Sequence, residues 1–106
     1  MPITSIGSGV FEQDANLKKV TIGTNVASIG NGAFTNCSSL TNIVIPNNVT
    51  SIGDYAFFIT APYGGLMSAT IGSGVTNIGS YAFYNNSLGN VYFLGNAPNV
   101  DATSFD

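Results

Sequence analysis

Charge is the first thing this sequence is short of. Only 7% of its 106 residues are charged, against roughly 25% in an ordinary soluble protein. The whole basic complement is Lys18 and Lys19, set against five acids for a net charge of -3. Nucleic-acid binding needs a basic footprint to neutralise phosphates, so that class of partner is excluded. Histidine is absent, which removes the commonest general base and leaves any thiol or hydroxyl without its usual activator. A single cysteine, Cys37, makes no internal disulfide, so cysteine usage does not identify a compartment. No apolar run approaches the length of about 18 residues that a membrane-spanning helix needs, and no membrane insertion is expected. The opening MPITSIGSGVF lacks the basic and apolar regions of a secretion signal. Solubility therefore rests on Asn, Ser, Thr and Gly.

What the chain does contain is one unit written several times. Leu40 to Phe57 reads LTNIVIPNNVTSIGDYAF; Leu17 to Phe34 reads LKKVTIGTNVASIGNGAF, Leu66 to Phe83 LMSATIGSGVTNIGSYAF, and Leu88 to Phe105 LGNVYFLGNAPNVDATSF. Leu and Phe are 17 residues apart in every copy, while the return from each Phe to the next Leu takes six, six, nine and five residues. A fixed unit on variable turns, with a period of 22 to 26 residues, marks a stacked repeat in the leucine-rich-repeat range. Residues 3–11 match the second half of the unit. The chain thus reads as a half-unit at 3–11 and full units at 17–34, 40–57, 66–83 and 88–105, within one domain spanning 1–106.

The apolar positions of a unit, in the second copy Leu40, Ile43, Ile45, Val49, Ile52, Ala56 and Phe57, assign its local structure. Leu-x-x-Ile-x-Ile is β-branched with period-two alternation and predicts a short strand. Val49-x-x-Ile52 predicts a second extended piece on another side of the coil. Gly30, Gly53 and Gly79 follow that piece, where a positive φ is the expected need. The Ala-Phe step predicts one tight helical turn, with Asp54 capping its start. A lone unit has nothing to cover its apolar side. Stacked units place Ile22, Ile45, Ile71 and Phe93 in one column and Phe34, Phe57 and Phe83 in another, and stability comes from the array. The last unit carries Ala97, Val100 and Asp101 where Val, Ile and Gly stand elsewhere, as a degenerating repeat does. The nine-residue return from Phe57 predicts a small loop tipped by Tyr63.

The pattern L-x-x-V-x-I-P-x-x-V-x-x-I-G-x-x-A-F, preceded by Phe34-x-x-Cys37, resembles the BspA-type leucine-rich repeat, known from bacterial surface antigens and some parasitic protists. The resemblance covers nearly the whole chain and departs at the cysteine, replaced by Asp14, Thr60 and Asn86 in the other copies. It implies a right-handed solenoid exported to the cell surface or secreted, and adhesion to host matrix proteins or neighbouring cells. The fold expected is a β-rich α/β structure: a short right-handed leucine-rich-repeat solenoid with one parallel β-sheet face and tight helical turns.

Candidate chemistry is sparse. Cys37 has no His to act as its base and occupies a core column, so it reads as a small buried hydrophobe. Glu12, Asp14, Asp54, Asp101 and Asp106 fall at scattered phases, whereas calcium needs six or more converging oxygens. No metal site, cofactor or catalytic residue is assigned. Gly7-Ser8-Gly9 and Gly72-Ser73-Gly74 lack the Lys-Ser/Thr or the dinucleotide fingerprint of a phosphate cradle and read as turns. Lys18 and Lys19 either meet an acidic partner or guard a strand edge against unwanted pairing. Phe58 and Tyr84 share a phase after the buried Phe; they form an exposed aromatic pair that can anchor a partner, or pack under the adjacent turn.

Repeat solenoids recognise partners through extended, rigid surfaces. The outward positions of the predicted strands are Thr21, Val44, Thr70 and Tyr92, flanked by Lys19, Asn42, Ser68 and Asn90. The sequence is therefore read as a non-catalytic module that binds a protein or glycan, including extracellular matrix or another cell surface, in an adhesin-like protein. The alternative is a structural spacer, or an excised part of a longer array, with end-to-end self-association through its apolar columns. Val44 and Tyr92 interrupt the Thr ladder that an ice-binding coil would need.

Overall fold

In the computed structural model, which describes residues 5–60, 64–96, 98–100 and 102–105, each strand pairs in parallel with its counterpart one coil away. Strands β1 (Ser5–Ile6), β2 (Ser28–Ile29), β4 (Ser51–Ile52) and β6 (Asn77–Ile78) form a sheet in the order β1-β2-β4-β6. Strands β3 (Asn42–Ile45), β5 (Ser68–Ile71) and β7 (Asn90–Phe93) form a second, in the order β3-β5-β7. The register follows the repeat: Ile43, Ala69 and Val91 align, as do Ile45, Ile71 and Phe93. Inward residues of both sheets and of the turns join in one core, including Leu40, Ile43, Ile45, Val49, Ile52, Ala56 and Phe57.

Two expectations about fold class are overturned. The coil has two parallel sheets and not one, and no helix occurs among the described residues. The Ala-Phe turn fails to be helical because its N–H groups alternate between two destinations. Ala33, Thr35 and Cys37 donate within the turn to Gly30, Gly32 and Phe34 carbonyls, at 3.3, 3.1 and 3.3 Å. Gly32, Phe34 and Asn36 donate instead to Asp54, Ala56 and Phe58 of the next coil, at 2.8, 2.7 and 2.7 Å. Gly32 (φ 65°) and Asn36 (φ 60°) depart from helical backbone altogether. A helix would bond all of these amides inside one segment; here half of them join coils.

The glycine expectation also changes. Gly30, Gly53 and Gly79 do not lie among the residues of positive φ. They are required by close approach: a Cβ on Gly30 would lie 2.6 Å from Ser8 N, on Gly53 2.6 Å from Asn31 N, and on Gly79 2.5 Å from Asp54 N. Asp54 caps no helix. Its backbone N–H donates to Asn31 Oδ1 of the preceding coil, and its Oδ1 accepts from Ser80 N of the following one, each at 2.9 Å. Other polar side chains staple coils likewise: Asn47 Oδ1 accepts from Ser73 N and Asn36 Oδ1 from Thr60 N. Short polar side chains thus satisfy backbone N–H groups one coil away, which suits an Asn- and Thr-rich chain of low charge.

Leu17–Ile22, predicted as the first strand of the single parallel sheet, carries no strand assignment. Leu17 and Val20 are only half-buried there, and Lys18 and Lys19 are exposed. The predicted loop tip at Tyr63, and Ala97 and Asp101 of the atypical last unit, lie outside the described residues.

The Phe column forms as a ladder of five rings. Phe11, Phe34, Phe57, Phe83 and Phe105 stack in sequence, with centroids 5.2, 5.1, 5.1 and 4.9 Å apart. That spacing is close to the distance of about 4.8 Å between paired strands, so coil pitch and ring stacking reinforce each other.

Candidate functional site

Two surfaces present side chains suited to recognition. The first is the outward face of β3-β5-β7. Alternation along β3 buries Ile43 and Ile45 and exposes Asn42 and Val44. Register then aligns Asn42, Ser68 and Asn90 in one column and Val44, Thr70 and Tyr92 in the next. Val44 is 61% exposed and Tyr92 55%, each a large apolar surface on either side of Thr70. The Ser68 hydroxyl donates to Asn42 Oδ1, tying the polar column together. Lys19 and Thr21 are exposed, but they lie in the segment without a strand and do not join the ladder.

The second surface runs along the turns. Phe58 and Tyr84 stack at 5.1 Å and are half-buried. What covers them was not singled out in the sequence: Tyr55 and Tyr81 stack at 5.4 Å in a parallel column. Edge contacts at 5.2 Å (Tyr55–Phe58) and 5.4 Å (Tyr81–Tyr84) cross-link the two columns. Both tyrosines have positive φ, 59° at Tyr55 and 56° at Tyr81. A bulky residue in this region costs about 1–2 kcal/mol; Gly9 and Gly32, both at φ 65°, hold the same conformation at this phase of the earlier coils, so it belongs to the turn itself. The signal was available in the repeat, because the position before Ala-Phe is Gly32 in one copy and Tyr55 and Tyr81 in the next two, with Gly9 in the half-unit.

The remaining candidates play structural parts or stand apart. Glu12, Asp14 and Asp54 are exposed, and among the described residues no three His, Cys, Asp or Glu side chains gather as a metal site. Asp101 and Asp106 lie outside the described residues. Gly72 and Gly74 lie against the preceding coil, where a Cβ would collide with Pro46 O and Asn47 O respectively. Close packing, not a phosphate, accounts for that glycine pair.

The sequence was also compared with known proteins. Over residues 4–106 it matches the family described as "BspA type Leucine rich repeat region (6 copies)". The chain belongs to the BspA-type leucine-rich repeat family. Searches of curated proteins and of solved structures return no match. Membership of this BspA-type family, in a sequence without a catalytic motif, is consistent with a non-enzymatic repeat domain.

The BspA-type cysteine position now has a physical account. Cys37 is buried, and its Sγ donates to Phe11 O of the preceding coil at 3.1 Å. Asn86, at the same position of a later unit, donates through Nδ2 to Phe57 O at 2.7 Å. Either side chain satisfies the carbonyl of the stacked Phe one coil back. Burial pushes the Cys37 thiol above its ordinary pKa, which keeps it protonated and a poor nucleophile at neutral pH.

Proposed function

We propose that this BspA-type chain is a non-catalytic binding module of a cell-surface or secreted, adhesin-like protein, meeting a protein or glycan through the outward face of β3-β5-β7. A family of repeat solenoids is consistent with a protein-binding module; the choice of face is our own reading. The observation that supports it is the registered column Val44, Thr70, Tyr92, which exposes an aliphatic side chain, a hydroxyl and an aromatic ring on one rigid ladder. Such a face is held by backbone bonds and loses little conformational entropy on binding. The flanking Asn42, Ser68 and Asn90 add hydrogen-bonding groups, and Lys19 and Thr21, exposed but outside the ladder, are included as further contacts. The test is binding of Lys19, Val44, Thr70 and Tyr92 alanine variants to a panel of extracellular-matrix proteins and glycans. Loss of tenfold or more with Tyr92→Ala or Val44→Ala is expected. Unchanged binding by all four variants would favour the spacer reading.

Self-association is a second contact with a specific basis. Beyond β7, Leu88, Val91, Phe93 and Phe105 line an open hollow, and Phe93 is 42% exposed. We propose that in the chain of residues 1–106 this apolar surface is covered by a second copy.

A further inference from the structure

The tyrosine column of the turn edge stops abruptly, and the place where it stops has the shape and charge of a binding slot. Position by position along the stack, the residues two before each Phe of the ladder are Gly9, Gly32, Tyr55, Tyr81 and Thr103. Tyr81 stacks on Tyr55 with its plane 16° away, but one coil back Gly32 has no side chain with which to continue the ladder. An open groove remains there, bounded by Gly9, Glu12, Gly32, Asp54, Tyr55 and Phe58 among others. Gly32 has the same left-handed backbone (φ 65°) as the two tyrosines. A Cβ built on it would meet Thr35 Oγ1 at 3.2 Å and no other described atom within 4 Å. The groove is thus a vacant rung beside Tyr55, which is 45% exposed.

Charge selects the occupant. The two charged residues that line the groove, Glu12 and Asp54, are both acidic, and neither lysine of the chain lines it. Asp54 uses Oδ1 to accept from Ser80 N and retains further acceptor capacity. A planar cation fits these features: it stacks on the exposed face of Tyr55, enters the space that Gly9 and Gly32 leave without side chains, and pairs with a carboxylate in a fork. A lysine ammonium is a compact point charge without the planar face that a guanidinium lays on a ring. We propose that this groove receives the guanidinium of an arginine presented by a partner protein. The contact lies on the turn edge and does not depend on the sheet face serving as a docking surface.

The test is titration of an acetylated, amidated Gly-Arg-Gly peptide into the isotopically labelled chain, followed by amide chemical shifts. The counterpart peptide carries citrulline, which is flat but neutral. The arginine peptide is expected to shift the amides of Gly9, Gly32 and Tyr55, to bind at least tenfold more tightly than the citrulline peptide, and to weaken as salt is raised. Glu12→Gln should reduce affinity several-fold. Tyr55→Gly removes the stacking face while keeping a residue native to this column, and Gly32→Tyr fills the slot by extending the ladder. Each should abolish the shifts, and Tyr55→Gly carries the test should Gly32→Tyr not fold. Equal binding of the two peptides, shifts centred elsewhere, or unchanged binding by Tyr55→Gly would overturn the proposal. So would a neutral disaccharide that shifts these amides where the arginine peptide does not, a result that would assign the groove to a glycan.

Discussion

Glycine in this chain is a spacer between coils before it is a conformational hinge. At Gly53 an added methyl would meet Asn31 N at 2.6 Å and Gly30 C at 2.8 Å, and both atoms belong to backbone already held in the stack. Neither can yield without moving a coil. Gly53→Ala is therefore expected to cost roughly 1–3 kcal/mol, the range of an overpacked core, read as a lower midpoint in urea unfolding. Gly23 is the internal control, since a Cβ there meets nothing within 4 Å. Gly23→Ala should stay within about 0.5 kcal/mol, as an ordinary surface change does. Equal effects at the two positions would show that coil spacing is not what Gly53 secures. The repetition of Gly30, Gly53 and Gly79 was plain in the sequence, but its cause was not: a clash with the preceding coil exists only once coils are stacked.

At the scale of the element, the turn is the informative part. Its amides divide between in-turn bonds and bonds to the next coil, so one stretch of chain closes its own coil and holds its neighbour. The Phe ladder fills the space inside. Phe57 is buried between Phe34 and Phe83, with rings 5.1 Å away on both sides, whereas Phe11 is half-buried and has one stacked partner, Phe34. Phe57→Ala is expected to cost about 3–5 kcal/mol, as for other buried Phe truncations. Phe11→Ala should cost clearly less, because fewer contacts are lost and water already reaches the site. Chemical denaturation of both variants checks the order. The reverse order, or equal losses, would contradict a ladder whose strength lies in its middle rungs.

For the molecule as a whole, stability is distributed along the stack and not gathered in a separate globular centre. Charge repulsion does little to keep copies apart in a chain with 7% charged residues, and apolar surface is open at Phe93 and its neighbours. Sedimentation equilibrium of residues 1–106 should show mass rising with concentration, and Phe93→Ser should shift the chain toward monomer. A parent chain that stays monomeric across the concentration range would refute contact through this surface. In a chain with so few charges, Glu12 and Asp54 of the groove are two of its five acids and a large part of its field.

The fixed spacing from Leu to Phe determined the coil, its inward columns and its family, because a side chain's phase in a repeat decides what it meets one coil later. Thr21, Val44, Thr70 and Tyr92 were assigned to one outward column on that basis; the register of β3, β5 and β7 aligns the last three, while Thr21 lies in a segment without a strand. Tertiary structure decided what one unit in isolation does not specify. The second sheet and the non-helical turn depend on amides bonding to a neighbouring coil, and local propensity does not contain that partner. The slot at Gly32 arises for the same reason: a missing side chain becomes a cavity only when the ring of Tyr55 is stacked beside it.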